Sequence, residues 1–146
     1  QKFSLRKIEE KGILPDLVVH LEETFPFRPK DLLDNMIINL LEHGYDSVIA
    51  ARREPGWMWQ ESKTGIFSRI DSGDLPRSIK ERSLVGLHGL GCVTYPEFIR
   101  KGGLLGGNIG LYEVHDPSAA LEVRDNTSGL LAEKILDTLR ERNHNK

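Results

Sequence analysis

Thr24 and Arg28 stand four positions apart in a short polar segment, 24–28, that follows an apolar run and is punctuated by Pro26 and Pro29. A hydroxyl and a planar guanidinium at that spacing suit a carboxylate or a phosphate. A second cationic group, Arg77, Lys80 and Arg82, follows Pro76 and precedes another apolar run. Three such cations either grip an anionic ligand or form a solvated face. The third set is Glu122-Val123-Arg124-Asp125. Alternation along an extended chain puts Glu122 and Arg124 on one side. Glu122 and Asp125 offer oxygen donors to a hard cation such as Mg²⁺. The same residues equally allow Glu122 to pair with Arg124 and Asp125 to belong to the N-terminus of a following helix.

Other chemistries find little support. The run Gly102-Gly103-Leu104-Leu105-Gly106-Gly107 lacks the Gly-Lys-Ser/Thr that completes a phosphate loop, and 86–91 is no dinucleotide fingerprint. Turns and close backbone packing explain these glycines better. The histidines at 20, 43, 88, 115 and 144 form no pair at helical spacing, so zinc is not expected. There is no Gly-x-Ser-x-Gly elbow. Cys92 is alone, which excludes an internal disulfide and reads as a buried, inert thiol in a reducing, cytoplasmic setting.

The elements that must position these residues can be read from the pattern. A short helix over 3–11 ends at Gly12, and a strand over 17–21 follows Pro15-Asp16. Leu32, Leu33, Met36, Ile37, Leu40 and Leu41 repeat at helical spacing up to Gly44, and 47–51 is the next strand. Strand, helix and strand predict a βαβ unit with a right-handed crossover. Segment 52–82 changes character, with Trp57, Trp59, Phe67 and Ile70 among turn residues, and predicts a hairpin excursion. Its aromatics either form a protein interface or staple a loop to the core. Further strands are expected over 84–95, with a turn at Gly89 and Gly91, over 109–114, and at an edge over 120–123. A short helix occupies 96–100, the glycines of 102–107 form a flexible connector, and Thr127 caps a final helix reaching residue 142.

With 146 residues, 38% apolar and 29% charged content, the chain fits one α/β domain over 1–146. A net charge of −2 argues against nucleic acid as a partner. No apolar run approaches the roughly 20 residues of a membrane span, and the charged first ten residues do not resemble a signal peptide.

Several segments, in order, resemble the C-terminal half of the acylneuraminate cytidylyltransferase family. Leu21-Glu22-Glu23-Thr24-Phe25-Pro26-Phe27-Arg28 is similar to its Leu-Gln-x-Thr-Ser-Pro-Leu-Arg segment. Tyr45-Asp46-Ser47-Val48, Pro76-Arg77, His88-Gly89 (in place of Asn-Gly), Tyr112-Glu113-Val114, Leu121-Glu122-Val123 and Ala132-Glu133-Lys134-Ile135-Leu136 continue the resemblance over about 16–136. It implies a Rossmann-like nucleotidyltransferase sheet. It also implies transfer of CMP from CTP to an acidic sugar, sialic acid or a related nonulosonate, with Mg²⁺ assistance and release of pyrophosphate. The implied substrate-binding residues are Thr24, Arg28, Arg77, Lys80, Arg82 and His88, and the implied metal residues are Glu122 and Asp125. The 52–82 arm would join two copies into a homodimer.

The sequence also departs from the family's pattern. Glu22 replaces a glutamine, Arg124 takes the second acidic metal position, and the Gly/Ser/Arg/Lys-containing loop that cradles CTP has no match in this chain. The expectation is therefore a truncated enzyme, inactive alone, with a non-catalytic binding or assembly module as the alternative.

Overall fold

The structure is a computed structural model that describes residues 1–71, 75–76, 79 and 83–144. Helix α1 (Lys2–Glu9), strand β1 (Val18–His20) and helix α2 (Leu32–His43) lead to the long strand β2 (Ser47–Arg53). Strands β3 (Trp59–Glu61) and β4 (Phe67–Arg69) form a separate hairpin, and β5 (Leu84–Gly86) returns to the main sheet. Strand β6 (Cys92–Thr94), helix α3 (Pro96–Arg100), strand β7 (Ile109–Glu113), a 3-10 turn (Pro117–Ala120) and helix α4 (Asn126–His144) complete the chain.

Strand β2 is the axis of a mixed sheet. One edge pairs in parallel with β7, from Ser47 opposite Ile109 to Ala51 opposite Glu113. The other edge pairs antiparallel with β6 near its start and with β5 near its end. Between β5 and β6 the turn 87–91 stays bound to β2, since Ala50 N–H donates to Gly91 O at 2.9 Å and Leu87 N–H to Ala50 O. β6 also pairs antiparallel with β1. The expected β1–α2–β2 unit is therefore modified: its strands run parallel but are not neighbours, because β6 lies between them.

The core follows from the periodicity. Leu32, Met36 and Leu40 bury one stripe of α2 against Val48, Ala50, Leu90 and Val93 of the sheet and its turn. Gly44 ends α2 in the left-handed conformation, φ 65°, which glycine adopts without a Cβ penalty. Cys92 is fully buried, and burial pushes its thiol up to about 11, so it is inert as expected. The 102–107 connector is pinned at its far end, where the close-packing reading of the glycines holds. Gly106 N–H donates to Ser47 Oγ at 3.0 Å, and Ser47 Oγ shares a 2.7 Å bond with Thr94 Oγ1.

Three expectations need correction. No strand forms over 120–123: the chain leaves the 3-10 turn and its backbone meets the rim where Val123 N–H donates to Thr24 O at 2.8 Å. Asp125, not Thr127, caps α4, its Oδ1 accepting from Ser128 N–H at 2.7 Å. Nor do the arm's aromatics staple a loop to the core, for Trp57, Trp59 and Phe67 are 66%, 55% and 63% exposed. The hairpin is held instead by its own contacts. Arg69 lies over the Trp57 ring and pairs with Asp71, which accepts from Met58 N–H at 3.1 Å. No helix of the described residues is long and apolar enough to cross a membrane.

Candidate functional site at the end of strand β1

Three segments meet beyond the carboxyl end of β1, the region where open α/β sheets place ligands. The first is 20–28, the second the 87–91 turn, and the third the extended stretch 121–125. Backbone and guanidinium bonds lock them together. Glu22 N–H donates to Gly89 O at 2.8 Å. Arg28 lies behind the segment it belongs to, with Nε donating to Leu90 O at 2.7 Å and Nη2 to Glu22 O at 3.0 Å and Gly89 O at 3.3 Å. These bonds make Arg28 a clamp between 20–28 and 87–91. Gly89 must be small here, because a Cβ would come within 2.7 Å of Glu22 Cδ and 2.8 Å of Phe25 Cε2.

The side chains gathered in this way form a continuous polar cluster. Thr24 Oγ1 lies 3.4 Å from Glu122 Oε1, across 98 positions of sequence, and 3.5 Å from Glu22 Oε2. Arg124 hydrogen-bonds Glu122, and its Nη2 stands 3.8 Å from Glu22 Oε2. Its hydrogen bond and charge hold the Glu122 carboxyl below the usual carboxylate range. Arg124 thus partly offsets the negative charge that Glu22 would turn toward an anion. On the other side, Glu22 Oε1 is 3.7 Å from His20 Nε2. The His20 and His88 rings lie 4.5 Å apart, centre to centre. Burial and the nearby His20 lower the His88 pKa, against a smaller opposing effect of Glu22.

The expected site residues are distributed as follows. Thr24 and Glu122 meet, His88 joins the same rim, and Arg28 supports it from behind. Asp125 is engaged at the α4 cap, where Ser128 bonds hold its carboxyl low. Arg77, Lys80 and Arg82 lie outside the described residues. Of the two carboxylates named from the sequence for Mg²⁺, Glu122 Oε1 lies against Arg124 and Thr24, and Asp125 Oδ1 accepts from Ser128.

Sequence reasoning missed His20 and undervalued Glu22. Their i, i+2 spacing leaving a strand was a readable signal that they share a face. Nothing in the sequence tied His88 to them.

No known family profile and no curated protein matches the sequence. Among solved structures, the chain is similar to the 4-diphosphocytidyl-2C-methyl-D-erythritol synthase of Anaerococcus prevotii, with a TM-score of 0.61 at 12% identity over 90% of this chain. The chain spans 64% of that protein's length. At this identity the likeness concerns the fold: the chain has the mixed α/β architecture of that synthase.

Proposed function

We propose that this chain belongs to a CTP-using nucleotidyltransferase that joins CMP to an acidic sugar. The observation that carries the reading is the meeting of Thr24 with Glu122 and Arg124, nearly a hundred residues away in sequence, at the rim beyond β1. Support comes from a fold shared with a synthase whose product carries a diphosphocytidyl group. The sequence resemblance adds the acidic sugar.

In this reading the sugar hydroxyl attacks the α-phosphorus of CTP. A sugar–oxygen–phosphorus bond forms, the bond to the pyrophosphate oxygen breaks, and the hydroxyl proton is released to solvent. Catalysis of this type rests on positioning and on neutralising charge. Thr24 offers a hydroxyl donor, Arg124 a cation steadied by two carboxylates, and Arg28 fixes the segment that carries Thr24. Arg77, Lys80 and Arg82 would add positive charge for the phosphates or the sugar carboxylate. The exposed aromatic face of the β3–β4 hairpin would seat a second copy.

The test is pyrophosphate release from CTP and an acidic nonulosonate, run on this chain and on a polypeptide extended toward the N-terminus. Turnover is expected in the extended form, with a loss of at least tenfold in Arg124→Ala. Titration of CTP with and without Mg²⁺ completes it. Absence of CTP binding by the extended form under both conditions would overturn the reading and leave a non-catalytic module of the same fold.

A further inference from the structure

We propose that His20, Glu22 and His88 form a binding site for a divalent first-row transition-metal ion. One ligand atom from each lies within 4.8 Å of the other two. The trio is assembled by the fold: β1 delivers His20 and Glu22 on one side of the extended chain, and the 87–91 turn, bound to Glu22 N–H through Gly89, delivers His88.

Four further observations support an ion here. First, His88 Nε2 is buried and has no hydrogen-bond partner among the described residues. Buried ring nitrogens are normally satisfied, and a metal ion would satisfy this one. Second, the Glu22 carboxylate is divided. Its Oε2 faces Thr24 and Arg124, while Oε1 is on the imidazole side, 3.7 Å from His20 Nε2. One oxygen can therefore bind a metal while the other keeps its present partners. Third, His20 has an outer support, since Gln1 Nε2 lies 2.8 Å from its Nδ1. Rotation of that amide lets its oxygen accept from Nδ1–H, which leaves Nε2 as the ligand atom. Fourth, two imidazoles and one carboxylate select zinc, cobalt, nickel or iron over the oxygen-seeking magnesium and calcium.

The required movement is small. Ligand atoms about 2.1 Å from a tetrahedral ion are about 3.4 Å from one another, so the trio closes by side-chain rotation of roughly an ångström. Three protein ligands also leave a position for water or for an anionic oxygen, phosphate or carboxylate, beside Thr24 and Arg124. The proposal does not depend on nucleotidyl transfer, and its test uses neither nucleotide nor sugar.

The experiment titrates the 146-residue chain with Co²⁺ alone and follows its visible d–d absorption, then adds Zn²⁺ to displace it. The expected result is one equivalent of bound Co²⁺, with affinity at least tenfold weaker in His20→Ala, Glu22→Gln and His88→Asn and unchanged in His115→Ala. Zn²⁺ should raise the melting temperature of the wild-type chain and not of Glu22→Gln, a substitution of nearly equal shape. No d–d band from the folded wild-type chain, or a band that survives all three substitutions, overturns the proposal.

Discussion

The rim beyond β1 and the β3–β4 hairpin both stand at the margin of the sheet, but the chain completes them differently. At the rim, polar side chains of 20–28 and 121–125 bond to one another, and Arg28 is held by three backbone carbonyls, two of them from the 87–91 turn. In the hairpin, the described contacts of Arg69, Trp57, Asp71 and Met58 join residues of the arm to one another, and Trp59, Ile66 and Phe67 are left 55%, 68% and 63% exposed. The lesson is one of chemistry. A cluster of interlocked charges and hydroxyls is suited to a small polar ligand or an ion, whereas an apolar surface that buries nothing of its own is suited to another protein.

This contrast can be broken most sharply at Arg28. Arg28→Ala leaves three carbonyls without their charged donor and is expected to cost about 3 kcal/mol in urea unfolding; a change near zero would make the rim as loosely built as the arm. Gly89→Ala should come next, at about 2 kcal/mol from forced overpacking, because the new Cβ would meet Glu22 and Phe25. It should also weaken Co²⁺ binding by moving Glu22, whereas retained affinity would show that Glu22 has room to spare.

A smaller effect is expected from pH in the metal-free protein. The folded-state pKa of His88 lies below its ordinary 6.5, so the unfolded chain takes up this proton first as pH falls. Stability from this group is full above that value and declines through the acidic range below it. His20 strengthens the effect and Glu22 opposes it. Denaturation between about pH 7 and about pH 5 should therefore show a shallower acid-side loss in His88→Asn than in the wild type; parallel curves would refute this. The smallest change is expected in the arm. Trp59→Ser with Phe67→Ser should alter monomer stability by about 0.5 kcal/mol or less, while sedimentation shows any self-association reduced. A large loss of monomer stability would place these aromatics in the fold rather than at an interface.

The readable parts of the fold were those specified locally. The apolar stripe of α2, its Gly44 stop, the short helix over 96–100 and the hairpin within 52–82 each carry their own signal, and each appears where expected. The strand expected over 120–123 did not form because the backbone there is engaged elsewhere: Val123 N–H donates to Thr24 O at the rim, not to a ladder on an edge strand. Thr127 lost the cap of α4 to Asp125 because a carboxylate two positions earlier reaches both the N–H and the hydroxyl of Ser128.

For the site the division is similar. Thr24, Glu122 and Arg124 were legible as residue types able to bind anions, and Glu122 with Arg124 as neighbours along an extended chain. That Arg28 binds carbonyls rather than standing open to solvent, and that His88 arrives beside His20, depended on the turn 87–91 being bound to Glu22 and Arg28. The helices, the turns and the inventory of chemical groups were legible in the residues alone, because these follow from contacts among near neighbours. The entry of β6 between β1 and β2, and the choice of which charges neutralise one another, were set by long-range packing. Those outcomes arise from hydrogen bonds between segments far apart in the chain, and no local spacing encodes them.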